Sequence, residues 1–180
     1  MFALGIDPGL SRCGYGCVAT EGAGRRAICA GVITTPVDDA LPQRLAVLRS
    51  DLHELIADLH PAVVVVERVF FQTNVRTAMA VGQASGVALL TAAELGCEVA
   101  EYTSNEVKLA VTGYGAATKD QVQRMVARLL DLDEVPRPPD AADALALALC
   151  HLGTAPWARA ASRATPVGTA GQAGNAGDAS

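Results

Sequence analysis

The chain has 180 residues, 51% of them hydrophobic, and a formal net charge of −5. A chain of this length is ordinarily one domain, able to bury about 70% of the surface it exposes when unfolded. No apolar run reaches the roughly 18 residues of a membrane span, and Phe2-Ala3-Leu4 already has the character of a strand rather than a leader, so a cytoplasmic protein is expected. The five cysteines (Cys13, Cys17, Cys29, Cys97, Cys150) are odd in number and form no C-x-x-C pair, so reduced thiols are expected. Cys13 and Cys17 fall on one face of a predicted strand, as small packing or surface residues rather than metal ligands. Residues 1–150 carry twelve basic against eighteen acidic side chains, which by sum argues against a nucleic-acid partner. Residues 68–128, however, hold six basic and five acidic ones, which leaves room for a local positive surface.

In chain order, Phe2–Asp7 is a short apolar strand ending in Asp7-Pro8-Gly9. Cys13–Thr20 and Arg26–Thr34 alternate as two further strands around the turn Glu21-Gly22-Ala23-Gly24, giving an antiparallel meander. Leu41–His60 carries Leu45, Leu48, Leu52, Leu55, Ile56 and Leu59 at helical spacing and is stopped by Pro61. Ala62–Val66 is almost pure valine and ends in Glu67. A strand apolar on both faces belongs in the sheet interior, reached by a helical crossover that makes it parallel to an earlier strand. Asn74–Gly96 is a helix rich in small residues, including Ala80, Gly82, Ala84, Ser85 and Gly86, which would allow close approach either against the sheet or at a dimer interface; its glycines are read as core packing. Cys97–Tyr102 is a fifth strand, Ser104–Thr112 a short helix with a Ser-x-Glu start, and Thr118 the N-cap of a helix through Leu130. Pro138-Pro139 then open a last helix. Asp140 and Asp143 share a face of its first turn, and Ala144–Leu149 behind them are apolar. The folded part is expected to end near residue 152, with 153–180, an Ala/Gly-rich stretch without periodicity, as a disordered tail.

Asp7 and Glu67 end strands expected to be adjacent and parallel, so both carboxylates emerge at the sheet edge where open α/β folds place their sites. Either acid alone could be a polar boundary residue, and the Asp140/Asp143 pair alone could simply cap its helix. Four carboxylates without nearby bases repel one another and require an outside cation. Hard oxygen donors select Mg²⁺ or Mn²⁺. Two ions roughly 3.5–4 Å apart would suit in-line attack of water on a phosphodiester.

Gly5-Ile6-Asp7-Pro8-Gly9, Val66-Glu67-Arg68-Val69-Phe70, Val81-Gly82-Gln83-Ala84-Ser85-Gly86 and Pro139-Asp140-Ala141-Ala142-Asp143-Ala144-Leu145-Ala146 together resemble the RuvC family of Holliday-junction resolvases. The resemblance covers residues 2–152. It implies a ribonuclease H-like α/β fold, with a mixed five-stranded sheet (β1–β3 antiparallel, β4 and β5 parallel to β1) flanked by helices. It further implies a homodimer that nicks two opposed strands of a four-way DNA junction with Mg²⁺, in recombination and repair alongside the RuvA–RuvB branch-migration complex. Asp7, Glu67, Asp140 and Asp143 match the family's catalytic, metal-holding acids, with Asp7 bridging two ions; some relatives carry histidine at the position of Asp140. Phe70 matches a base-stacking aromatic, and Lys108 and Lys119, the chain's only lysines, match DNA-contacting ones. Arg76 and Arg124 are further candidate backbone contacts.

Other classes fit less well. A sugar-kinase or actin-like ATPase also begins with an Asp-x-Gly strand, but it needs a second phosphate loop and roughly twice this length. A RuvX-like protein should lack the Phe70 context and the Asp-Ala-Ala-Asp segment, and an inactive junction-binding module should have lost an acid. An aromatic stacked on a base contributes about 1–3 kcal/mol, whereas Phe71 is read as core. Phe70→Ala is therefore expected to slow junction cleavage more than Phe71→Ala, and an equal or reversed order in a nicking assay would move the stacking role.

Overall fold

The computed structural model describes residues 2–22, 24–68 and 75–164, without the side chains of Arg76 and of residues 155–164. Strands β1 (Phe2–Asp7), β2 (Arg12–Glu21) and β3 (Gly24–Thr34) form the expected antiparallel meander. β4 (Val63–Glu67) runs parallel to β1 and β5 (Glu98–Tyr102) parallel to β4, giving one mixed sheet of order β3-β2-β1-β4-β5. Helix α1 (Leu41–Leu59) connects β3 to β4, α2 (Val75–Glu94) connects β4 to β5, and α3 (Ser104–Thr112), α4 (Lys119–Leu129) and α5 (Pro139–Ala164) follow.

Local signals account for the boundaries. α1 opens with proline in its first turn, and its chain leaves through His60 in the left-handed conformation at φ 48°. α3 and α4 both begin with reciprocal capping boxes, Thr103 with Glu106 and Thr118 with Gln121, each satisfying two otherwise free N–H groups. The cap of α3 is thus Thr103, one residue ahead of the serine in the Ser-x-Glu pattern.

The sheet separates two apolar layers. Ala3, Val18, Val63 and Val65 pack with α3, α4 and α5 on one side. Leu4, Ile6, Cys13, Cys17, Val64 and Val66 pack with Leu48, Leu52 and Ile56 of α1 and Ala84, Ala88 and Ala92 of α2 on the other. Successive β4 valines alternate between the layers, as the strand's period of two requires, so the strand is apolar throughout because both its faces are covered.

Two expectations are revised. Gly82 and Gly86 do not pack in the core: a Cβ at either position would meet nothing within 4 Å. The inner face of α2 is made by its alanines with Ser85 and Thr91, and the glycines fall on the opposite face. In addition, α5 does not stop at residue 152 but continues to Ala164. Alanine is the strongest helix former, so a stretch too poor in bulky residues to build a core still extends a helix already nucleated.

At Gly5 of β1 and Gly14 of β2, α5 meets the sheet backbone to backbone. A Cβ on Gly5 would stand 1.9 Å from the Ala144 carbonyl oxygen, and one on Gly14 would stand 2.2 Å from that of Asp140. Gly5→Ala must lift α5 off the sheet and should cost about 3 kcal/mol. Urea denaturation checks this; an unchanged midpoint would mean that α5 can shift freely.

Candidate active site

Parallel pairing of Ile6 with Val66 puts the next residues, Asp7 and Glu67, side by side where both strands end. The first turn of α5 projects above this edge and carries Asp140 and Asp143. Asp7, Glu67 and Asp143 line one cavity of about 360 Å³ together with Lys108 from α3 and Lys119 from α4, over a floor that includes Val107 and Val122.

The charges at this site are paired in a definite pattern. Lys119 Nζ lies 2.5 Å from Asp143 Oδ2, and Gln123 Nε2, one turn further along α4, donates to Asp143 Oδ1 at 3.4 Å. Shielding from water lowers the Lys119 ammonium, but its hydrogen bond to Asp143 and the charges of Asp143, Asp7 and Asp140 leave it above its ordinary value. Burial first, and then the charges of Glu67 and Asp143, raise Asp7 to about 7 against the pull of Lys119. Glu67 is raised as well, chiefly by burial and then by the charge of Asp143; its hydrogen bond with Asp7 and the two lysine charges oppose this.

Asp140 stands apart. It does not line the cavity, and its Oδ2 accepts from Arg12 Nε and Nη2 at 3.1 and 3.0 Å. Among the described residues no three acids converge as a ready-made metal cluster, and the two acids of α5 are each engaged by a base, Asp143 by Lys119 and Asp140 by Arg12. The donor set nevertheless fits a hard divalent cation. All of its atoms are carboxylate oxygens, and Asp7 and Glu67 are raised first by burial and then by neighbouring carboxylate charge, a combination that a bound cation would relieve.

The family model described as "Crossover junction endodeoxyribonuclease RuvC" matches residues 3–151. The chain belongs to the RuvC family. The RuvC of Moorella thermoacetica is 52% identical over 157 residues, covering 87% of this chain and 94% of its own. The Thermus thermophilus RuvC structure aligns with a TM-score of 0.82 at 37% identity, over 88% of this chain and 97% of that one. The same protein in complex with Holliday junction substrate aligns at 0.80 and 35% identity, over 87% and 96%. The sheet order and flanking helices described above are the RuvC fold.

Of the site residues expected for a RuvC, the structure brings Asp7, Glu67, Asp143, Lys108 and Lys119 together and leaves Asp140 outside the cavity lining, paired with Arg12. Phe70 and the side chain of Arg76 lie outside the described residues. Arg124 is not at this cavity: it sits on the other face of α4, bonded to Asp120, in a separate cleft with Tyr114 and Arg128. Sequence reasoning does not find Arg12 or Gln123. Gln123 has a faint signal, being one helical turn from Lys119, but a lone arginine opening a strand has none.

The raised Asp7 bears directly on stability. The native state holds a proton on this group up to about pH 7, whereas the unfolded carboxyl, at its ordinary 3.8, has already released it. Stability of the metal-free protein should therefore fall as pH rises from about 4 to about 7. Asp7→Asn should flatten that slope. Chemical denaturation in chelator across this range checks the sign; a wild type that grows more stable with rising pH would contradict it.

Proposed function

We propose that this chain is itself a junction nuclease, an endonuclease that hydrolyses phosphodiesters in two opposed strands of a four-way DNA junction during recombination and repair. One observation carries the proposal. Acids brought from β1, β4 and α5 line a single cavity with the only two lysines of an acidic chain. Lysines set beside the acids of one cavity suit a substrate that brings its own negative charge.

Two divalent ions, Mg²⁺ with Mn²⁺ as a substitute, would supply an activated water and neutralise the phosphoryl oxygens when bound. Asp7, Glu67 and Asp143 would hold them, with Asp140 contributing from outside the cavity lining. Lys108 and Lys119 would seat the phosphate backbone over the acids, and Lys119 would give up Asp143 as it does so. Phe70, three residues past Glu67, would stack on an unpaired junction base. Arg76 and Arg124 would contact the backbone outside the cavity.

A homodimer is part of this reading, because two opposed nicks require two sites. It is supported by the outer face of α2, where Val75 (70% exposed), Met79 (61%) and Leu90 (54%) are left in water. Gly82 and Gly86 lie between them with open space above. Residues 75, 79, 82, 86 and 90 fall at helical spacing, so they form one stripe along the helix. The RuvA–RuvB complex is the further partner that family membership implies. Location in the cytoplasm belongs to the same proposal; no helix among the described residues is long and apolar enough to cross a membrane.

A synthetic four-way junction with Mg²⁺ tests the proposal: symmetric paired nicks are expected, and binding without nicks would indicate a binding module. Asp7→Asn should lower the nicking rate at least about 100-fold. Junction affinity in chelator should stay within about twofold, because binding rests on phosphate contacts rather than on the acids. Wild-type rates in this variant would overturn the assignment of the acids.

A further inference from the structure

Arg12 is the first residue of β2 and reaches Asp140, the acid outside the cavity lining whose charge is still felt at Asp7. Its Nε and Nη2 donate to the same oxygen, Asp140 Oδ2, at 3.1 and 3.0 Å. Charge-assisted contacts from two donors fix both side chains more firmly than one contact does. The same strand also holds the main chain of Asp140. Gly14 lies two residues beyond Arg12 on the same face of β2, and its missing side chain leaves room for the Asp140 carbonyl, which a Cβ would meet at 2.2 Å. β2 therefore holds Asp140 at both its backbone and its carboxylate.

The result is an uneven division of the four acids. Asp7, Glu67 and Asp143 face one cavity, and Asp140 is drawn aside toward β2. The Arg12 side chain is nevertheless 50% exposed, against 28% for that of Asp140, so solvent and solutes reach the guanidinium. A guanidinium fork matches phosphate as well as it matches carboxylate. At the edge of a site that takes a nucleic-acid strand, the two anions compete for it.

We propose, resting on the nuclease reading above, that Arg12 is a positioning residue that withholds Asp140 from metal in the DNA-free protein and releases it when a backbone phosphate of the bound strand takes the guanidinium. Metal-site completion is thereby coupled to DNA binding, and by linkage each favours the other. A hydrolytic centre that is incomplete until the strand arrives keeps its ions weakly held when there is nothing to cut.

A purely structural ion pair predicts the opposite sign. If Arg12 only propped Asp140 in a ligating position, removing it would weaken metal binding. Titration of the DNA-free protein with Mn²⁺, with the free ion followed by electron paramagnetic resonance, distinguishes the two. Arg12→Gln should bind Mn²⁺ about three- to tenfold more tightly than wild type, with Arg12→Lys between them. In chelator, Arg12→Gln should also bind the junction more weakly and lower the slope of log affinity against log salt by about 1. Unchanged or weaker Mn²⁺ binding by an Arg12→Gln protein whose circular dichroism and melting match wild type would overturn the withholding role. An unchanged salt slope would overturn the phosphate contact. The Mn²⁺ titration uses no DNA, so its outcome is separate from whether the wild type nicks a junction.

Discussion

The carbonyl oxygen of Ala144 occupies nearly the position that a Cβ on Gly5 would take, 1.9 Å away, and the depth of the acid-lined cavity follows from that contact. With side chains on the strand, α5 would ride higher above the sheet and its first turn would stand clear of the strand ends. Glycines on β1 and β2 let the helix settle onto bare backbone, with Leu145 seated over Gly16. The apolar turns of α5, buried from Ala141 to Leu152 except at Asp143, then fix the helix in place. Asp143 is thereby held over Asp7 and Glu67 by packing around it rather than by any attraction between the acids.

That arrangement stores electrostatic repulsion in a folded protein. It is tolerated because the two apolar layers supply the stability and because each acid of α5 has a base of its own, Lys119 for Asp143 and Arg12 for Asp140. The strand acids lie buried side by side, and Asp7 is raised first by that burial and then by the charges of Glu67 and Asp143, against the pull of Lys119. A site assembled this way is poised for a charged visitor of either sign. A divalent cation relieves the acids, and a phosphate can take over their bases. Neutralising both at once is the requirement of phosphodiester hydrolysis, so the pairing in the resting protein anticipates the ligands of the working one.

The two layers divide these roles in space. The cavity belongs to the layer of α3, α4 and α5, and the exposed stripe of α2 belongs to the other layer. A second copy seated on α2 would contact the layer opposite the one that holds the cavity. That disposition suits a substrate with two strands to be cut at separated points.

The order of elements and the identity of the acids are legible in the amino-acid sequence by itself. Asp7 and Glu67 can be matched because β1 and β4 show their type and end points locally, through apolar runs closed by an acid. Asp140 and Asp143 can be joined to them because a proline pair and an apolar run mark the start of a buried helix. Such signals are written over a few consecutive residues, where periodicity and capping operate. Which side of α2 meets the core, that Arg124 points away from the cavity, and that Arg12 reaches Asp140 across 128 positions of sequence were decided only by the tertiary structure. These depend on the rotation of a helix about its axis and on contacts between residues far apart in the chain. Neither leaves a pattern in neighbouring residues, because the energy that selects them is shared across the whole packed interface.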